Sequence, residues 1–130
     1  MALRVRKNRA RPPVIERGPR CPLNSAMALL GGAWAPHVIY FLSEQPRRFG
    51  ELRIDIPKIS ARVLSRRLRD LEAKGVIART LVPSSPPTAE YSLTALGREL
   101  VPALLAIAEV GRRLDDLPVR RRSSRHISAA

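Results

Sequence analysis

A chain of 130 residues with a net charge of +13 and one cysteine is a single domain with a modest core and a preference for polyanionic partners. The lone cysteine excludes an intrachain disulfide framework and any cysteine-based zinc cluster. No apolar run is long enough to span a bilayer, and no apolar segment of signal-peptide type follows the arginine-rich N-terminus, so no membrane partner and a cytoplasmic location are expected.

The charge is unevenly spread. Residues 1–20 carry seven Lys/Arg against one Glu, and residues 117–130 carry four Arg and no acid. The stretch 47–79 holds ten basic and four acidic groups, whereas 21–46 and 80–116 are slightly acidic. The two ends, basic and without apolar periodicity, read as disordered tails around a folded unit spanning 21–116.

The elements follow in order. "CPLNSAMALLGG" predicts a short helix with Pro22 at its first position and Gly31-Gly32 as its stop. "AWAPHVIYFLSE" predicts a second, apolar helix, which tolerates Pro36 only in its first turn. "PRRFGELRIDIP" gives a third, with Phe49 and Leu52 inward and Pro57 beyond its end. In "ISARVLSRRLRDLEAKG", Leu64, Leu68 and Leu71 fall within about 60° of one another on a helical projection, and Arg62, Arg66 and Arg69 within a similar arc opposite them. Ser60 is the expected N-cap and Gly75 the expected stop.

The period then changes from helix to strand. "VIARTLV" and "AEYSLT" read as two strands joined by the proline-rich loop "PSSPPT". Thr94 caps a final long helix, "ALGRELVPALLAIAEVGRRLDD", which Pro102 should bend. Its Leu96, Leu100, Leu104, Ala108 and Gly111 share one stripe, broadened by Val101, Leu105 and Leu114. So broad a stripe exceeds what one small domain readily covers.

Three helices, an arginine-faced helix and a hairpin make the order of a winged helix-turn-helix, mainly α with a small β-hairpin wing. A helix with a packed back and a cationic front fits the major groove, where arginine meets guanine or phosphate with paired hydrogen bonds. Ser60, Arg62, Ser65 and Arg66, in the N-terminal half, are the expected base contacts, and Arg69 a phosphate contact. Arg67 falls off the seam and is either a further contact or simply solvated. Arg47, Arg48, Arg53 and Lys58 flank the same surface and would neutralise backbone charge. Ser84 and Ser85, at the wing tip, can hydrogen-bond phosphate. Arg79 is expected to pair with Glu90 across the hairpin rather than reach DNA.

The blocks "CPLNSAMALLGGAW", "RRFGELRIDIPKISARVLSRRLRDLEAKGVIART" and "PSSPPTAEYSLTALGRELVPAL" resemble the HxlR-type winged-helix transcription regulators of bacteria over about residues 21–111. The resemblance implies a homodimer joined through its terminal helices, with two recognition helices presented to a palindromic duplex-DNA site. This chain departs from the family pattern at Ala33, where lysine is usual, at Val110, where tryptophan is common, and at Pro36.

In some members of that family a cysteine in the "CP" position senses oxidants or electrophiles, which makes Cys21 a candidate redox sensor. The start of a helix and a neighbouring guanidinium are conditions that favour thiolate in general, and Cys21 has Arg20 before it and a helix after it. With one cysteine per chain, a disulfide would have to cross the dimer or use a small thiol, whereas alkylation needs no partner. Trp34, Tyr40 and Phe41 are expected in the core more than around a small-molecule effector. His37 and His126 have no companions at metal or triad spacing, and no phosphate loop or carboxylate pair is present, so neither enzymatic activity nor a cofactor is expected. The alternative is a non-specific architectural or RNA-associated protein acting through charge alone.

Overall fold

The computed structural model describes residues 13–118; the outer parts of both expected tails lie outside the described residues. After an exposed irregular stretch and a single 3-10 turn at Gly18–Arg20, five helices and three strands follow in the order α1 (Pro22–Leu29), α2 (Ala35–Leu42), β1 (Arg47–Arg48), α3 (Phe49–Asp55), α4 (Ala61–Ala73), β2 (Ile77–Val82), β3 (Thr88–Leu93) and α5 (Ala95–Asp115).

Local chemistry sets the boundaries. Proline occupies the first turn of both α1 and α2, where its missing N–H costs nothing. The Ser60 hydroxyl oxygen accepts from the Val63 N–H at 3.1 Å, and the Thr94 hydroxyl oxygen from the Gly97 N–H at 3.2 Å, each satisfying a donor that the first turn leaves open. Gly75, at φ +77°, ends α4 in the left-handed region. At α3 the Glu51 carboxylate reaches back to the Arg48 N–H at 2.9 Å.

The core joins α2, α3, α4 and the base of the hairpin: Val38, Ile39, Leu42, Leu52, Ile56, Ile59, Leu64, Leu68, Leu71, Val76, Ile77, Leu93 and Leu104 are buried around Ala35. All three leucines of the predicted α4 seam are among them. Trp34, Phe41, Phe49 and Tyr91 pack against its edge, half-buried. Phe49 is thus a border residue, while Leu52 is fully inside.

The sheet is three-stranded and antiparallel, in the order β1-β3-β2, one strand more than the hairpin read from the sequence. Strand β1 is two residues long, too short to show any alternation, and it pairs Arg47 with Tyr91 and Arg48 with Glu90. The β2–β3 register places Arg79 opposite Tyr91 and Thr80 opposite Glu90. Arg79 and Glu90 are offset by one position and point to opposite faces. The expected Arg79–Glu90 pair is therefore corrected.

Helix α5 runs unbroken through Pro102. Its first half packs on α2 and β3, with Gly97 and Leu104 buried and Leu100 and Val101 against the core. Its second half is different: Leu105, Ile107, Val110 and Leu114 are 47%, 62%, 51% and 46% exposed. The fold thus covers only part of the stripe that the sequence predicts.

Candidate nucleic-acid interface

The surface of interest is the outer side of α4. With its leucines buried, Arg62, Arg66 and Arg69 are exposed along the opposite seam. Among the described residues none of the three takes part in an ion pair, although four other arginines do. Ser60 and Ser65 sit at the cap and on the seam's flank, exposed and half-buried respectively. Lys58, in the turn before α4, and Arg48, at the start of α3, are also exposed. Seven of the nine expected DNA contacts therefore lie on α4 or on the short elements leading into it.

The wing supplies the other two. Ser84 and Ser85 stand exposed in the loop between β2 and β3. The Ser84 hydroxyl donates to the Pro86 carbonyl at 2.7 Å. A phosphate oxygen would compete with that carbonyl for the single hydroxyl proton, which rotates to suit its partner. Ser85 makes no such bond among the described residues.

Two arginines have roles that differ from the sequence expectation. Arg47 was expected on the DNA-facing surface, but its Nε and Nη2 donate to the Asp55 carboxylate, both at 2.9 Å, and its Nη1 lies 3.7 Å from Glu51. These contacts, first the hydrogen bonds to Asp55, hold the guanidinium above its ordinary pKa. Arg47 staples β1 to the end of α3. Arg67 is neither a seam residue nor solvated: its side chain is 11% exposed, its Nε donates to the Ala33 carbonyl at 2.8 Å, and its Nη1 donates to Asp70 at 3.0 Å. Both pairings join elements that are distant along the chain or turned back on themselves, and residue type alone does not announce either. A charge that folds against an acid is removed from the set that can meet a polyanion.

Cys21 is the N-cap residue of α1, half-buried, and its side chain does not cap the helix. It lies in the segment leading into the domain, away from α4 in sequence. Trp34 meets His37 edge-on, with centroids 4.7 Å apart, and Tyr40 meets Phe41 at 5.4 Å. A shallow groove of Pro36, His37, Tyr40, Leu104, Ile107 and Ala108 separates α2 from α5, so Tyr40 lines a recess and does not lie wholly in the core. Among the described residues there is no cluster of three or more His, Cys, Asp or Glu able to hold a metal, and no helix is long and apolar enough to cross a membrane.

The arrangement has counterparts among known proteins. A family model for the HxlR-like helix-turn-helix matches residues 29–117. The chain is 40% identical over 96 residues to an uncharacterized HTH-type transcriptional regulator of Bacillus subtilis (strain 168), YdeP, covering 74% of this chain and 75% of that one. Among solved structures, the redox regulator HypR in its oxidized form is similar with a TM-score of 0.68 and 38% identity, over 72% of this chain and 96% of that one. The reduced form of the transcriptional regulator YodB from B. subtilis is similar with a TM-score of 0.61 and 34% identity, over 68% and 88% of the two chains. With a winged helix-turn-helix built around an arginine-faced α4, and a family match spanning most of its described residues, the chain belongs to the HxlR-like helix-turn-helix family of transcriptional regulators.

Proposed function

We propose that the protein acts in the cytoplasm as a homodimer that binds a (pseudo)palindromic duplex-DNA operator, with α4 of each protomer in the major groove. The observation that carries this reading is the α4 seam: three exposed arginines outside every ion pair among the described residues, on a helix whose opposite side is fully packed. Arg62 and Arg66 read base edges, assisted by Ser60 and Ser65. Arg69, Arg48 and Lys58 neutralise phosphates and fix the register, and Ser85 reaches the backbone from the wing. The basic tails, 1–20 and 117–130, add salt-sensitive affinity with no sequence preference.

The second half of α5 supports dimerisation. Ile107, Val110 and Leu114, within about 60° of one another on the helix, present an apolar strip to water, and burying apolar surface stabilises by roughly 25 cal/mol per Å². A second copy, related by a two-fold axis, covers such a strip with the same strip. The dimer fixes the distance between the two α4 helices, which a palindrome requires.

Regulation runs through dimer geometry, set by thiol chemistry at Cys21 or by a small ligand. The half-buried Cys21 at the start of α1 and the likeness to a redox regulator support the first route. Attack of the thiolate on a low-molecular-weight disulfide would form a mixed disulfide at Sγ and release one small thiol. Footprinting on the DNA upstream of its own gene, reduced and then treated with such a disulfide, tests the whole reading. A protected palindrome lost on treatment but kept by Cys21→Ser supports regulator and switch together. A palindrome indifferent to treatment keeps the regulator and redirects the search to ligands. Uniform protection without a palindrome would return the protein to the architectural alternative.

A further inference from the structure

Helix α4 carries four arginines, and only three of them face outward. Arg67 sits on the flank, about 100° or less from the leucine seam and well away from Arg62, Arg66 and Arg69. Its guanidinium is anchored at two points, to the Ala33 carbonyl and to Asp70. Ala33 belongs to the turn between α1 and α2, 34 residues earlier in the chain.

That turn is shaped around the arginine. Gly32 has φ +94°, and a Cβ there would stand 1.9 Å from Arg67 Nη1 and 2.3 Å from its Cζ. Only a residue without a side chain leaves the guanidinium its seat. Two positions on, Trp34 has φ +69° and is the sole non-glycine residue in the left-handed region among those described. The backbone of 32–34 therefore adopts two unusual conformations beside the carbonyl that receives Arg67.

The leucine seam and this clamp constrain α4 differently. Apolar contacts are non-directional and set how deep the helix lies. The 2.8 Å bond to the Ala33 carbonyl is directional and, acting on one flank, opposes rotation about the helix axis; the 3.0 Å bond to Asp70 lies within α4 and holds the guanidinium in the orientation that makes it. A roll of about 10° moves a group about 6 Å from the axis by about 1 Å. Base readout tolerates only about 0.5 Å of misplacement.

We propose that Arg67 is a positioning residue for base recognition: without touching DNA, it fixes the roll of α4 against the α1–α2 turn so that Arg62 and Arg66 meet base edges. The proposal rests on the reading of α4 as the recognition helix. It also makes the α1–α2 turn, which follows the helix begun at Cys21, a place from which a shift of α1 reaches the DNA-facing arginines.

The test uses the full chain and two duplexes, the footprinted palindrome and a random sequence of equal length. Arg67→Lys keeps the charge and loses the planar fork. Expected is a loss of about 10-fold or more on the palindrome, with affinity for random duplex and the salt slope unchanged. Near-ultraviolet circular dichroism of Trp34, the single tryptophan, verifies that the variant is folded. Losses of equal size on both duplexes, with the slope reduced by about 1, would make Arg67 a phosphate contact and overturn the proposal. A lower Tm with discrimination intact would reduce it to a structural clamp, also overturning it. Asp70→Asn, at a half-exposed site, serves where Arg67→Lys fails to fold. Its gain in positive charge alone would tighten binding to both duplexes, so weaker palindrome binding supports positioning and tighter binding contradicts it. Arg66→Ala runs alongside: if it too leaves discrimination untouched, α4 is not the reader and the underlying assignment fails instead.

Discussion

The two longest helices, α4 and α5, each bury one side and leave the other bare, but the bare sides differ in chemistry. On α4 the open side holds Arg62, Arg66 and Arg69; on the second half of α5 it holds Ile107, Val110 and Leu114. A charged side is stable in water, so its partner can come and go, and salt tunes the encounter. An apolar side is costly in water at any salt concentration, so its partner is best kept permanently. The difference matches the proposed reading, a transient polyanion for α4 and a constant second copy for α5.

The largest expected effect comes from breaking the permanent contact. Ile107→Asp places a charge on a residue that the protomer leaves 62% exposed, so the fold should survive while the dimer does not. Sedimentation should show monomers, and affinity for the palindrome should fall by about 10² or more as bivalent engagement is lost. A variant that stays dimeric would show that the α5 strip is not the interface.

Next comes the transient contact. Arg66→Ala should cost about 1–3 kcal/mol on the palindrome and much less on random duplex. Arg47→Ala sharpens the point, because Arg47 is already engaged by Asp55 and Glu51. Removing it should lower Tm by a few degrees and leave the slope of log K against log salt unchanged. A shallower slope would mean that Arg47 releases its carboxylates to meet phosphate.

These arginines also mark the limit of what the sequence discloses. The period of α4, the Ser60 cap and the Gly75 stop are local properties, each encoded within a few residues, and they were legible. So was the excess of apolar surface on α5. The part of α5 left bare was less so: neither Ile107 nor Val110 is named in the predicted stripe, and packing against α2 and β3, not the sequence period, decides how much of the apolar side is covered. Arg67 and Arg47 were misplaced for a related reason. Arg67 binds a backbone carbonyl, which every residue possesses, and Gly32 beside it reads simply as a helix stop. Arg47 meets an acid eight positions on, a spacing that becomes a contact only once β1 and α3 fold back on each other. The offset between Arg79 and Glu90 is a matter of one residue in the hairpin register, which the geometry of a long loop decides.

The smallest expected effect on discrimination comes from the N-terminus. Residues 1–15 hold five Lys/Arg and no acid. Each phosphate neutralised contributes about 0.9 to the salt slope on B-form DNA, so deleting this segment should flatten the slope by at most about 4–5 per chain. Binding should weaken on palindrome and random duplex alike, leaving their ratio unchanged. The arithmetic separates charge from readout: an arm that only neutralises phosphate lowers both affinities by the same factor, whereas an arm that enters a groove and touches bases lowers one more than the other. A changed ratio would move part of the specificity off α4 and onto the arm, and the division of labour between the bare sides of α4 and α5 would then need a third member.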